Sequence, residues 1–196
     1  MVDADILEIS HFYNVIDIFA YSALHDTIKY DVTHYFLFSE EIMATTLLEY
    51  FNELRTQNPF SWVKDSEVTT VEPGHAEMTL QTNETEYCNF RGHLHGAVCI
   101  GFADSLMGTA CFTLGKSVST IDINGNYLKS VKGGTVLRGV ANVEHSGKTT
   151  MVATARIYNE LGEVVHIARG TFFVVEERPL PDLPWRFIEE DDPNLI

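Results

Sequence analysis

The run of residues 96–114 constrains the fold of this chain more than any other feature. Apolar side chains are spread over it so evenly that a helix made from it would be apolar on nearly all sides, as in a helix buried inside a domain. The run is also long enough to suggest a membrane span, but Asp104 lies at its centre and basic flanking residues are absent. We therefore expect a buried central helix and no insertion into a membrane.

The segments around this helix have the composition and alternation of β-strands. Residues 66–82 read as strand, with a turn at residues 72–75. After the helix, four more strand candidates follow, separated by glycine-containing turns: residues 117–127, 134–145, 148–159 and 164–175. One helix followed by an antiparallel meander predicts an α+β fold, in which a curled antiparallel sheet wraps around one long central helix.

The first third of the chain reads as a helical extension. Residues 3–21 and 42–54 carry apolar stripes at helical spacing, and the second stripe follows a candidate N-cap at Ser39. The sequence leaves open whether this extension contacts a second copy, binds a partner, or reflects an over-long start with Met43 as the true initiator. The predicted organisation is a helical extension over residues 1–61, a main domain over residues 62–177, and an acidic, proline-containing and extended or loose tail over residues 178–196.

The charge and the cysteines limit the partners and the compartment of the protein. A net charge of −15 argues against binding to nucleic acid or to an anionic membrane. Acidic residues stand at the N-terminus where a signal peptide would have basic ones, and Cys88, Cys99 and Cys111 form no C-x-x-C pair. We therefore expect reduced thiols in a cytoplasmic protein, with Cys99 and Cys111 in the core.

Four groups suited to acyl transfer lie at or near the predicted central helix. They are the side-chain amide of Asn89, the imidazole of His95, the backbone N–H of Gly96 and the carboxylate of Asp104. A helix N-terminus presents unpaired N–H groups and a partial positive charge, which suits a carbonyl oxygen that becomes an oxyanion. Taken singly, these residues have plainer explanations, such as a turn asparagine, a helix-start histidine or a hydrogen-bonded core acid. Their joint spacing favours a functional site.

Residues 62–176 resemble the hotdog-fold acyl-CoA thioesterases of the phenylacetyl-CoA thioesterase type. The family pattern places an asparagine six residues before the histidine of His-Gly-Gly, and the acid of Ala-Asp nine residues after that histidine. Asn89, His95 and Asp104 keep both spacings. Residues 120–129 also resemble the family's strand, with Thr120 at its Ser/Thr position followed by the Asn-x-x-Tyr-Leu motif. The resemblance implies that the curled sheet is a hotdog fold.

The resemblance also implies a role for each site residue. The Gly96 N–H, helped by Asn89, would polarise the thioester carbonyl. Asp104 would act as the general base on water or as the nucleophile, and Thr120 would assist the water. His95 would help to orient substrate or water.

Three further residues are candidate substrate contacts. Ala97 stands where the family has a second glycine, and its methyl group could narrow the acyl channel. Between residues 123 and 175 six basic residues outnumber three acidic ones, so a polyanionic ligand would be met there, with Lys129 and Lys132 as candidate contacts. The excess of basic residues is explained about as well by unrelated lysines and arginines scattered along the edges of strands. The sequence shows no metal-ligand spacing and no glycine-rich phosphate loop, so we expect neither a metal nor a bound cofactor.

One copy of the predicted helix cannot complete this site. Gly96 and Asp104 are eight residues apart. That separation is about 12 Å along a helix, whereas a base acts within about 3 Å of its proton or through one water. Two antiparallel helices in a symmetric dimer would bring Asp104 of one copy to Gly96 of the other. We therefore expect a homodimer or a dimer of dimers that hydrolyses an acyl-CoA to a carboxylate and free CoA.

Three other functions remain open on the sequence alone. The first is a non-catalytic acyl-CoA-binding hotdog module with a regulatory role. The second is a hydratase or dehydratase on the same fold, although the His and acid arrangement of those enzymes is not found here. The third is a structural assembly protein.

Overall fold

The computed structural model of the protein describes residues 44–57 and 65–186. The chain divides into two units, Met1–Glu41 and Ile42–Ile196, and every described residue belongs to the second unit. The predicted helix over residues 3–21, the candidate cap Ser39 and the alternative initiator Met43 lie outside the described residues. The predicted three-part organisation of the chain stays a prediction.

Two helices and six strands make up the described part of the chain. In chain order they are α1 (Leu47–Thr56), β1 (Ser66–Glu72), β2 (His75–Gln81), α2 (Gly96–Phe112), β3 (Lys116–Tyr127), β4 (Val136–Ser146), β5 (Thr150–Tyr158) and β6 (Val164–Glu177). The central helix and all the predicted strands are therefore confirmed, and the predicted turn separates β1 from β2.

The six strands form one antiparallel sheet in the order β1-β2-β4-β5-β6-β3, and α2 packs against its inner face. This arrangement confirms the predicted curled sheet around a central helix. The expected meander after α2 is wrong for β3, which pairs along its whole length with β6, from Lys116 opposite Glu177 to Tyr127 opposite His166. The alternation of residues along a strand shows which face is buried, but it does not reveal the neighbouring strand.

The core lies between α2 and the sheet. Phe102, Leu106 and Met107 of α2 are wholly buried. A Cβ atom at Gly139 of β4 would lie 2.6 Å from Cδ2 of Leu106, so the absence of a side chain at that position lets the helix approach the sheet closely. Within the described ranges, neither helix has the length and apolar character needed to cross a membrane.

Helix α1 starts later than the sequence pattern predicted. It begins at Leu47, not at residue 42, because Thr46 is the N-cap and its side-chain oxygen accepts a hydrogen bond from the N–H of Glu49 at 3.2 Å. Leu47 and Phe51 are buried and belong to the same core cluster as the central helix. The helix is thus packed into the domain that carries the candidate site.

Helix α1 also covers one edge of the sheet. The side chain of Asn52 donates to the carbonyl of Val68 at 2.8 Å and accepts from its N–H at 2.9 Å. These two bonds imitate those of a neighbouring strand, so they block further pairing at this point of the edge strand β1.

The described part of the predicted tail is packed rather than loose. The carbonyl oxygens of Pro184 and Trp185 accept hydrogen bonds from the N–H groups of Leu47 and Leu48, at 2.8 and 3.2 Å. Both donors lie at the start of α1, where a helix has no partners of its own for them. Leu183 and Trp185 also pack against the core, so apolar side chains hold the tail as well as hydrogen bonds.

Candidate functional site

Asn89 organises the loop that leads into α2. Its backbone N–H donates to the carbonyl of His93 at 2.8 Å, and its side-chain oxygen accepts from the N–H of Arg91, also at 2.8 Å. The N–H of Leu94 then donates to the carbonyl of Val131 at 2.9 Å, which fixes the loop to the segment between β3 and β4. Among the described residues, the side-chain nitrogen of Asn89 makes no hydrogen bond, so that group remains available as a donor.

The central helix begins at the residue predicted for an oxyanion donor. Gly96 is the first residue of α2 and His95 is its N-cap, with an exposed side chain that makes no capping hydrogen bond. No acidic residue lies in the first turn. The N–H groups of Gly96 and Ala97 find no acceptor within the part of the chain that the structure describes. An uncapped helix start of this kind presents donors and a partial positive charge to a ligand.

Asp104 and Thr120 are brought together by the packing of α2 against β3. The hydroxyl of Thr120 donates a hydrogen bond of 2.7 Å to Oδ1 of Asp104. Asp104 is half-buried and Thr120 is exposed. The sequence had placed both residues in the site, and the structure places them in direct contact.

One face of α2 is only half-buried in a single chain, which corrects the expectation of a helix enclosed on all sides. Gly101, Asp104, Ser105 and Gly108 all lie on this partly open face. Asp104 and Gly96 are separated by about two turns of the same straight helix, about 12 Å. One chain therefore holds the oxyanion donors and the carboxylate too far apart to act on one carbonyl.

The candidate substrate contacts differ in their surroundings. Ala97 is exposed in the first turn of α2. The ammonium of Lys129 lies 2.6 Å from a carboxylate oxygen of Glu163 and is engaged in that ion pair. Lys132 is exposed, pairs through its backbone with His93, and makes no ion pair with the described residues. Of the two lysines, Lys132 is the one whose charge is available beside the loop.

Tyr127 joins the site, although the sequence predicted no role for it. Its hydroxyl donates to the carbonyl oxygen of Gly96 at 3.1 Å. A Cβ atom at Gly96 would lie 3.0 Å from Cζ of Tyr127, so the missing side chain of Gly96 lets the phenol ring reach the helix start. The signal available in the sequence was the tyrosine of the Asn-x-x-Tyr-Leu motif.

A cavity of about 330 Å³ opens beside the carboxylate, between α1, α2 and the start of β3. Its lining combines four apolar side chains, five polar ones and a glycine: Phe51, Leu54, Arg55, Ser105, Gly108, Thr109, Phe112, Ser117, Val118 and Arg178. A Cβ atom added to Gly108 would meet nothing within 4 Å. Gly108 lies one turn beyond Asp104 on the same helix, and Ser105, the residue after Asp104, also lines the cavity, so the cavity lies next to the carboxylate along α2 without being lined by it.

Two of the three cysteines are inert by their environment. Cys99 and Cys111 are free and buried in the core, as predicted. Burial raises the pKa of Cys99 to about 11 and the pKa of Cys111 to about 12. Since the thiolate is the reactive form, neither residue offers a nucleophile at neutral pH.

Known proteins are similar to this chain in the part that carries most of the candidate site. The sequence profile of the thioesterase superfamily matches residues 91–166. ComA2 of Bacillus subtilis, which carries the name of an esterase, is 33% identical over 90 residues, which are 44% of this chain and 71% of that protein. The 1,4-dihydroxy-2-naphthoyl-CoA hydrolase of Listeria monocytogenes is 31% identical over 115 residues, which are 57% of this chain and 92% of that protein.

A solved structure shows the same fold. A hypothetical thioesterase from Streptococcus pneumoniae, solved with coenzyme A, has a TM-score of 0.58 and 29% identity, and it covers 61% of this chain and 92% of its own. That protein has also been solved in two variants, with an aspartate and with a threonine replaced by alanine, at positions 16 residues apart. The hotdog fold implied by the motif resemblance is therefore confirmed.

Proposed function

Because this chain belongs to the thioesterase superfamily, we propose that it hydrolyses an acyl-CoA to a carboxylate and free CoA, at sites that two copies of the chain complete together. Two relatives support a CoA thioester as the substrate class. One is named as a hydrolase of a CoA thioester, and the other has been solved with coenzyme A.

The observation that carries the proposal is the hydrogen bond between Thr120 and Asp104. It places a hydroxyl at 2.7 Å from a half-buried carboxylate, on a helix that carries no basic residue of its own. The two residues are 16 apart, the same separation as the aspartate and threonine replaced in the Streptococcus pneumoniae thioesterase. A carboxylate held by one hydrogen bond keeps its second oxygen available to accept a proton from water.

The loop and helix start supply the other half of the reaction. The N–H of Gly96 and the side-chain amide of Asn89 are donors without acceptors among the described residues. Donors fixed in place before the reaction stabilise the negative charge that develops on the carbonyl oxygen. Exposed beside them, His95 helps to orient the substrate or the water.

The two halves meet only if a second copy provides one of them. In the proposed dimer, two α2 helices lie side by side and antiparallel, through the half-open face that contains Gly101 and Gly108. Small residues there allow the close approach of another backbone. Asp104 and Thr120 of one copy then face Gly96 and Asn89 of the other.

The reaction follows from these positions. Asp104 takes a proton from water, and the water oxygen adds to the thioester carbon while the carbonyl electrons move to the oxygen held by Gly96 and Asn89. Re-forming the carbonyl breaks the C–S bond, and the CoA thiolate takes the proton from Asp104. In the alternative route the carboxylate of Asp104 attacks directly and forms an anhydride, which water then cleaves to the same products.

The cavity beside Asp104 is the proposed site of the acyl group. The four apolar side chains of its lining suit a hydrocarbon or aryl group, and its volume of about 330 Å³ exceeds the needs of an acetyl group. The exposed ammonium of Lys132 is the proposed contact for the phosphates of CoA, because phosphate groups attract unpaired cations.

Mixing two inactive variants tests the shared site directly. Asn89→Asp removes the oxyanion donor and Asp104→Asn removes the base, so each homodimer is expected to be inactive. Unfolding and refolding the two together is expected to restore about a quarter of the wild-type turnover, because half the dimers are then mixed and each carries one intact site. Each variant refolded alone is the control. No recovery, in the presence of mixed dimers shown by mass spectrometry, would rule out the shared site.

A second measurement separates hydrolysis from mere binding. Wild-type protein is assayed with acetyl, medium-chain, long-chain and aromatic acyl-CoAs, and calorimetry with CoA runs in parallel. Binding of CoA without turnover of any member of the panel would replace the proposed enzyme with a binding module.

A further inference from the structure

We infer that His166 is a positioning residue: through the ring of Tyr127 it holds the first turn of α2 where the N–H of Gly96 can meet a thioester oxygen. The inference rests on the function proposed above for that helix start. His166 lies on β6, belongs to none of the motifs that suggested the site, and makes no contact with the reacting atoms.

His166 is an unusual core residue. Its side chain is 1% exposed, and neither ring nitrogen makes a hydrogen bond of good geometry with the described residues, although the backbone of Asn126 is close enough to affect the pKa of the ring. Burial lowers the pKa of His166 below its ordinary value of 6.5, and the nearby backbone of Asn126 only partly opposes that shift. The ring is therefore neutral near pH 7. A buried polar group without partners costs free energy, so filling the core is a poor reason for a histidine at this position.

The imidazole occupies a slot that the sheet leaves open for it. A Cβ atom at Gly125 would lie 2.6 Å from Cε1 and 2.8 Å from Nε2 of His166. Any residue other than glycine at position 125 would therefore press on the ring. The backbone at Gly125 needs no unusual conformation, so the close approach of the imidazole is what calls for glycine there.

Tyr127 rests on this imidazole. The two residues are opposite each other on β3 and β6, their ring centroids are 4.6 Å apart, and their planes are inclined by 37°. Tyr127 is 55% exposed, so on its outer side little of the protein restrains it. The imidazole therefore fixes the position of the phenol ring on the buried side of that ring.

The hydroxyl of Tyr127 transmits that position to the helix. It donates to the carbonyl of Gly96 at 3.1 Å, while the N-cap His95 makes no capping hydrogen bond. Among the described residues, Tyr127 is thus the side chain that bonds the backbone of this first turn. A shift of the phenol ring shifts the peptide groups next to the oxyanion donor.

A double-mutant cycle tests the inference. His166→Ala and Tyr127→Phe are each expected to lower kcat roughly tenfold with little change in KM, because misplacing a donor weakens the transition state more than the ground state. The double variant is expected to be no worse than the poorer single variant, because both changes break one chain of contacts. Met151→Ala, a buried change on β5, is the control and is expected to lower Tm without lowering kcat. Additive losses in the cycle, or an equal loss of kcat in the control, would overturn the inference.

An activity-independent measurement keeps this inference separate from the proposed function. The N–H groups of Ile100 and Gly101 bond the carbonyls of Gly96 and Ala97 within α2. Amide hydrogen exchange at Ile100 and Gly101 is expected to quicken in His166→Ala and in Tyr127→Phe, and to stay unchanged in Met151→Ala. A wild-type protein without turnover would end the proposed function, while the exchange data would still decide whether His166 positions the turn. Unchanged exchange in both variants would overturn the inference even in an active enzyme. Should His166→Ala fail to fold, Gly125→Ala displaces the imidazole without removing it and is expected to quicken the same amides.

Discussion

The hydroxyl of Thr120 lies 2.7 Å from a carboxylate oxygen of Asp104, although one residue belongs to an edge strand and the other to the central helix. The contact exists because β3 packs against α2 at the point where the helix leaves one face half-open. It fixes one oxygen of the carboxylate, while the other makes no hydrogen bond with the described residues.

Replacing Asp104 by Asn is expected to abolish the chemistry and leave the fold intact. The amide keeps the shape and still accepts the hydrogen bond from Thr120, but it is not a base. We expect turnover to fall by on the order of 10² or more, the effect of a lost general base. Steady-state release of free thiol measures the loss, and calorimetry with a non-hydrolysable acyl-CoA analogue checks binding.

Thr120→Ala provides the matched comparison for Asp104. It removes the hydrogen bond but keeps the carboxylate, so a loss of about tenfold is expected, the scale of one hydrogen bond to a charged group. Near-normal turnover in Asp104→Asn would refute the proposed mechanism.

Replacing Asn89 separates two roles of one side chain. Its oxygen holds the loop by accepting from Arg91, while its nitrogen is the proposed donor to the oxyanion. Asn89→Asp keeps the oxygen and loses the nitrogen, so kcat is expected to fall by about 10² to 10³ with the loop intact. Asn89→Ala loses both groups and is expected to lower Tm as well. A rise in KM alone, in either variant, would make Asn89 a ground-state binding residue.

Filling the cavity at Gly108 is expected to change the substrate range without unfolding the protein. In a single chain, a side chain added at Gly108 meets nothing within 4 Å, and glycine to valine alters helix propensity by less than about 1 kcal/mol. Because Gly108 also lies on the proposed dimer face, light scattering is used to check that each variant remains a dimer. In Gly108→Val, turnover of long-chain or aromatic acyl-CoAs is expected to fall at least roughly tenfold relative to acetyl-CoA. Gly108→Ala is the control, with a smaller change in the same direction. An unchanged ratio would place the acyl group elsewhere.

The stability of the protein is expected to fall as the pH drops below the ordinary pKa of His166. Burial lowers that pKa in the folded state, so the unfolded chain, with its value near 6.5, takes up a proton first. The free energy of unfolding should therefore be highest above that value and decrease as the pH falls below it, until the lowered pKa of the folded state is reached. Urea unfolding at several pH values measures the trend. His166→Leu has no group to protonate at this position, and its trend should be flatter; an identical slope would contradict the assignment.

Residues 1–40 are expected to be dispensable for the chemistry. They contain none of the site residues, and α1 with its cap Thr46 lies wholly beyond them. A chain beginning at Ile42 is expected to fold and to keep its turnover with the same acyl-CoA panel. A folded but inactive chain would show that the first forty residues shape the site.

Much of the fold could be predicted because its strongest signals are local. The even apolar character of residues 96–114 identified α2, and alternation with glycine turns identified the strands. The neighbour of β3 could not be predicted, because its partner β6 lies far along the chain and no local pattern records that pairing. The start of α1 was misplaced because apolar spacing continues upstream of Thr46, whereas the cap decides where the helix begins.

The candidate site, like the fold, could be predicted only in part from the sequence. Asn89, His95, Gly96 and Asp104 were proposed from their spacing, and Thr120 from the family resemblance. The structure confirms that α2 starts at Gly96 and also shows that Thr120 bonds Asp104. The role of His166 could not be predicted, because a lone histidine in a strand reads as ordinary core. It becomes informative only when the ring is seen against Gly125 and Tyr127.

The hydrogen bonds between the carbonyls of Pro184 and Trp185 and the start of α1 determine when, during synthesis of the chain, helix α1 can be completed. A ribosome releases α1 early, when its partners in the tail have not yet been synthesised. The first N–H groups of the helix must bond water until residue 185 has emerged. The helix beside the proposed acyl cavity is therefore the first of the described elements to be synthesised and among the last to have all its hydrogen bonds.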